Sequence, residues 1–213
     1  MAVSLPPAHT AVVRVTHWIT ALCFLSLVVT GVEIVISHPR FYWGETGNVN
    51  TPSLFDIPIP ASRAAVKTGY DYVLPDQNGW SRALHFQTAW LIAFTGLAYL
   101  IHGLRKSHFR TRLLSATSDY NTAQRITYLI VIFGLFPLII WTGLAMAPAF
   151  TAAFPFTVTS LGGQQSARTI HFFTFLALFL FLLGHVAMVI RAGFRSYVTA
   201  MITGRGRNEG DAK

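Results

Sequence analysis

RTIHFFTFLALFLFLLGHVAMVI, residues 168–190, is the stretch that decides the fold. His171 and His185 lie fourteen residues apart in an otherwise apolar run. At about 100° per residue, fourteen steps end only ~40° short of four helical turns, with a rise of ~21 Å. Both imidazoles therefore leave one face of one helix, at two depths of a layer whose hydrocarbon core is about 30 Å thick. Ionisable side chains in such a segment are costly and point to function. Two levels, one face and a metal-ligating residue type together suggest two stacked metal centres.

The rest of the chain supports a membrane setting. Of 213 residues, 53% are hydrophobic and 11% charged, against about a quarter charged in soluble domains. Four apolar runs, 12–36, 83–104, 124–147 and 169–190, are each long enough to cross a bilayer. The expected fold is an all-α membrane bundle of four transmembrane helices. No cleavable signal peptide is expected, because the first run is too long for one and begins with Arg14 and His17.

The net charge of +8 does not point to nucleic acid, since the basic residues cluster in two places. Arg105, Lys106, Arg110, Arg112 and Arg125 lie between spans two and three, and Arg191, Arg195, Arg205, Arg207 and Lys213 follow span four. Between spans three and four there is only Arg168. Positive-inside counting puts both termini and the second connection in the cytoplasm, and the first and third connections outside. Lipid is one partner by this reading. The tail 204–213 is polar and expected to be flexible.

The 37–82 segment, the long periplasmic loop of this topology, combines Pro39, Pro52, Pro58, Pro60 and Pro75 with Phe41, Tyr42, Trp43 and Phe55. Disordered linkers are poor in aromatics, so an ordered loop is expected. Arg40, Phe41, Tyr42 and Trp43 are its first candidates for docking a partner; an interfacial aromatic belt is the plainer account.

The histidines pair by level. His85 opens span two and His171 opens span four, both on the outer side; His17 opens span one and His185 nears the end of span four, both on the inner side. Two facing neutral imidazoles form the bis-histidine ligand set of a haem iron. The plainer account is a set of histidines hydrogen-bonding across helices. The lone Cys23 rules out C-x-x-C-H attachment, so any haem is non-covalent and b-type. Arg14, Arg82 and Arg168 each precede a histidine of these pairs by three residues, one helical turn. Guanidinium groups there suit haem propionates, although arginines also flank spans as anchors. His102 lies ~100° off the His85 face and is ranked last as a ligand; proton transfer near a quinone and a simple interfacial place are its other readings. Pro137 should kink span three.

This pattern resembles the bacterial cytochrome b561 family, which includes the b-type cytochrome subunits of nickel–iron hydrogenases and formate dehydrogenases. The resemblance spans nearly the whole chain. It rests on His17-Trp18, His85, a histidine-free span three and the His171/His185 pair. It implies two haems b, held by His85 with His171 and by His17 with His185. It also implies transmembrane electron transfer between the quinone pool and a periplasmic redox partner, in the bacterial inner membrane, as the anchor of a respiratory oxidoreductase. The stretches 37–45 and 74–80 look like a subgroup associated with periplasmic molybdopterin oxidoreductases; a cytochrome c is another candidate partner, and a second copy of the chain another. The alternative function is a stand-alone quinol oxidase passing electrons to a small oxidant such as superoxide. A metal or proton transporter is disfavoured, since the spans hold almost no carboxylates.

Overall fold

The computed structural model describes residues 9–48, 50–58, 78–106, 109 and 122–204. The basic residues Arg110 and Arg112, loop residues 59–77 and the tail from 205 lie outside the described residues.

Among the described residues, four helices are long and apolar enough to cross a membrane. They are α1 (Ala11–Ser37), α2 (Asn78–Arg105), a third span from Thr122 to Ala145, here α3, and α6 (Gln164–Thr203). Two short helices, α4 (Pro148–Ala153) and α5 (Phe156–Thr159), bridge α3 and α6. Large apolar side chains such as Leu22 and Leu180, each 67% exposed, point outward along the spans. In water this would be a liability; against lipid tails it costs nothing, and backbone satisfaction within each helix is what the bilayer demands. Small polar residues fill the inside: Thr30, Ser81, Thr142, Ser166 and Thr169 are all buried, as close packing of membrane helices favours. Cys23 is a buried free thiol among them.

Inter-helix contact concentrates in two antiparallel pairs, α1 with α2 and α3 with α6. The described parts of the first and third connections lie at one end, here the loop side, and Arg14 and Gly204 lie together at the other.

Span three does not run as one regular helix. An α-helical start, Thr122–Ile130, gives way to a π-helical turn, Val131–Leu135, before α-helix resumes at Phe136. Pro137 is the cause. It has no N–H to donate and its ring clashes with the carbonyl four residues earlier, so the chain widens by one residue just ahead of it. The kink expected at Pro137 is thus taken up as a π turn.

Span four extends beyond its apolar run at both ends. It starts at Gln164 and continues to Thr203, bending at Gly193, whose φ of 114° only glycine adopts cheaply. The segment beyond the bend returns to α1. There Arg14 Nη1 donates to the Ile202 carbonyl (2.9 Å) and Trp18 Nε1 to the Met201 carbonyl (3.2 Å). These side chains satisfy helix-end carbonyls that otherwise need water.

The described half of the long loop is an ordered cap. Two short strands, β1 (Arg40–Phe41) and β2 (Phe55–Asp56), pair antiparallel. Phe41, 1% exposed, stacks on Phe55 (4.6 Å between ring centres) and meets Phe172 of α6 (4.5 Å). Beyond β1 the chain crosses the start of α6. The Gly44 carbonyl accepts from the Gln165 and Ser166 amides, and the Glu45 carboxylate from the Gln164 amide. Gly163, at the N-cap position, has no side chain to cap with, so the loop supplies the acceptors. Thr169 Oγ1 donates to the Tyr42 carbonyl, and Ser166 Oγ accepts from the Gly44 amide.

Contrary to the expectation of a docking face at all four residues 40–43, Phe41 and Tyr42 are buried and hold the cap together, so they present no face to a partner. Of the four candidates for docking, only Arg40, beside Asp56 at 3.8 Å, and Trp43, 61% exposed, remain on the surface.

Candidate haem-binding site

The four singled-out histidines come together as two pairs. On the loop side the ring centres of His85 (α2) and His171 (α6) are 6.3 Å apart. On the termini side His17 (α1) and His185 (α6) are also 6.3 Å apart. Each pair bridges from one antiparallel helix pair to the other. An iron bound by two imidazoles needs a ring-centre separation of about 6.3–6.5 Å, from two metal–nitrogen bonds of about 2.0 Å and about 1.2 Å from each nitrogen to its ring centre. Both pairs fit that span, and they are too far apart for a direct hydrogen bond between the rings. Among the described residues no three His, Cys, Asp or Glu side chains gather as a metal site. The histidines therefore meet as pairs.

On the loop side both rings are fixed by threonines. Thr30 Oγ1 lies 2.9 Å from His85 Nδ1, and Thr142 Oγ1 lies 2.9 Å from His171 Nδ1. Gly31 and Gly143 follow these threonines; a Cβ on them would come within 3.6 Å of His85 Cε1 and 3.5 Å of His171 Cε1. The rings thus rest against backbone bare of side chains. Reading the sequence for histidines and arginines missed both threonines. Their signal is the repeated Thr-Gly dipeptide, but it also occurs at Thr95-Gly96, so composition alone would not have picked the two.

The termini-side pair is lined differently. His17 packs edge-on to Trp18 (5.3 Å), and His185 stacks with Phe181 (5.8 Å). His17 Nδ1 and Arg14 Nε are buried without a hydrogen-bond partner among the described residues. Buried polar atoms are rarely left so, and an acceptor such as a carboxylate would satisfy the arginine.

The arginines have distinct surroundings. Arg168 donates from Nη1 to the Arg40 carbonyl (3.0 Å) and from Nη2 to that of His38, and its guanidinium lies 4.7 Å from the Phe41 ring centre. It clamps the cap onto α6, with further N–H groups left over from its five. Arg82 is exposed one turn ahead of His85. His102 belongs to neither pair; its Nε2 sits 3.3 Å from Thr10 Oγ1 at the chain's start.

A four-span bundle with two facing histidine pairs at two depths defines the class of membrane-embedded cytochromes. The sequence profile of prokaryotic cytochrome b561 matches residues 8–204, and the chain belongs to that family. It is a multi-pass membrane protein that binds b-type haem and transfers electrons. A similar protein is the putative protein-methionine-sulfoxide reductase subunit YedZ1 of Azospira oryzae, 29% identical over 202 residues, covering 85% of this chain and 89% of that protein. No solved structure matches.

Proposed function

We propose that the chain is the haem-bearing membrane subunit of a respiratory oxidoreductase, carrying electrons between the quinone pool and a redox partner at the loop side. The observation that carries this reading is the pair of 6.3 Å histidine separations at two levels. His85 with His171 would hold one haem b and His17 with His185 the other, with Arg14, Arg82 and Arg168 near their propionates. Haem held by these histidines would supply reversible one-electron transfer. The protein's part is to fix the imidazoles, keep water from them with apolar helices and place one pair near each surface.

By positive-inside counting, the loop side is periplasmic and the termini are cytoplasmic in the bacterial inner membrane. The relative's name describes a reductase subunit, which favours a catalytic partner, such as a molybdopterin oxidoreductase, over a stand-alone quinol oxidase; a cytochrome c is the other candidate partner. The cap beside the His85/His171 level is the natural docking region, through Trp43 and Arg40.

The test is pyridine haemochromogen quantification on the purified chain with a potentiometric titration. Two non-covalent haems b per chain, six-coordinate and low-spin, are expected. One haem per chain, or a covalently attached haem, overturns the two-centre reading. Co-purification of a redox partner separates the conduit from the stand-alone oxidase.

A further inference from the structure

We infer that Thr30 and Thr142 are matched positioning residues that set the tautomer and donor strength of the two loop-side histidines. The inference rests on reading His85 and His171 as haem ligands.

Thr30 Oγ1 donates to the Ser26 carbonyl (2.9 Å), also lying 3.3 Å from that of Leu27. Thr142 Oγ1 donates to the Leu138 carbonyl (2.8 Å), with Ile139 at 3.0 Å. A threonine hydroxyl has one proton, and a helical threonine commonly directs it to the carbonyl of the preceding turn. With that proton committed, each hydroxyl can only accept from the imidazole 2.9 Å away. Nδ1 must then carry the hydrogen, which leaves Nε2 with its lone pair free. That is the tautomer a metal requires at Nε2.

The arrangement is duplicated. In each antiparallel helix pair the odd-numbered span supplies the threonine and the even-numbered span the histidine: Thr30 on α1 for His85 on α2, Thr142 on α3 for His171 on α6. Both threonines are buried, at 1% and 0% exposure, so water does not compete for the bond. The termini-side pair has no equivalent at His17, whose Nδ1 lacks a partner among the described residues. An acceptor on the distal ring nitrogen raises ligand basicity and fixes ring orientation. A more basic ligand favours ferric over ferrous iron, so the threonines hold the loop-side midpoint potential lower than it would be without them.

The experiment uses the full chain, purified with its haem, as Thr30→Val, Thr142→Val and the double variant, beside Thr30→Ser and Thr142→Ser. Readouts are haem content, potentiometric titration and low-spin electron paramagnetic resonance. The valine variants should raise the loop-side midpoint and move that centre's resonance signal, leaving the termini-side centre unchanged; the serine variants should match the parent. If a valine variant loses the loop-side haem, retention by the serine variant supports the hydroxyl's role. The inference is overturned if the double valine variant keeps both haems with unaltered potentials and signals, or if serine fails wherever valine fails. His85→Ala is the separate control: unchanged haem content there sinks the ligand assignment itself, whatever the threonines do.

Discussion

Replacing Phe41 by alanine should open the cap without touching the histidine pairs. The ring is 1% exposed and packs on Phe55 and Phe172, with the Arg168 guanidinium 4.7 Å from its centre. Truncating a buried phenylalanine costs about 3–5 kcal/mol. The lower end suits a cap of two short strands that can partly collapse on the gap. At about 1.4 kcal/mol per factor of ten, ~3 kcal/mol raises the open population roughly a hundredfold. The reporters are the Leu54 amide, bonded to the Phe41 carbonyl at 2.7 Å, and the Ile57 amide, bonded to Pro39 at 3.0 Å. Hydrogen exchange on the protein in nanodiscs should show both accelerating by about that factor where closing outpaces exchange. Trp43→Ala, at a residue 61% exposed, should leave them within about twofold. Exchange at Leu54 and Ile57 in Phe41→Ala within about threefold of the parent would refute the view that this ring organises the cap.

Three further outcomes follow from the geometry. His85→Ala should remove the loop-side haem and His17→Ala the termini-side one, each leaving the other assembled, as read by haem content and redox titration; loss of a haem in His102→Ala but not in His17→Ala would refute the pairing. Arg82→Gln should lower the midpoint of the loop-side centre while keeping its bis-histidine spectrum, because removing a nearby positive charge favours the oxidised haem; an unmoved potential marks Arg82 as an anchor only. Gly193→Ala forces a side chain into φ 114°, a strain of about 1–3 kcal/mol, and should loosen the segment 194–203 from Arg14 and Trp18, read as faster proteolysis there with the loop-side haem retained.

The four spans could be read from hydropathy because a bilayer leaves a continuous apolar stretch no other use. The meeting of His17 with His185 and of His85 with His171 was legible for a similar reason: depth in the layer follows from distance along the helix. The ends were not legible. Span four runs on through Arg191 to Thr203, past the last apolar window, because hydrogen bonds from Arg14 and Trp18 give the returning segment a place to rest. Helix α2 begins at Asn78, ahead of the apolar run that marked it. Within the cap, Phe41 and Tyr42 looked like a docking face because aromatic residues favour interfaces, and their burial depends on β2, about fifteen residues downstream, which no local pattern announces. Arg168 shows the same limit: its spacing to His171 gives no sign of its bonds to the carbonyls of residues 38 and 40, which arise from a loop folding back across more than a hundred residues.

Helix α6 gives a histidine to each level, and the buried Thr174 and Leu178 occupy the face between them. It therefore acts as a ruler: the vertical interval between the two levels is written into one rigid rod and does not depend on how the bundle's other members settle. A single residue inserted between His171 and His185 would swing one of them by about 100° and displace it by ~1.5 Å, enough to unseat one pair. Seven inserted residues would return both to the same face but stretch the interval by about 10 Å, half again its original length. Changes of length in this helix are thus quantised in their effect.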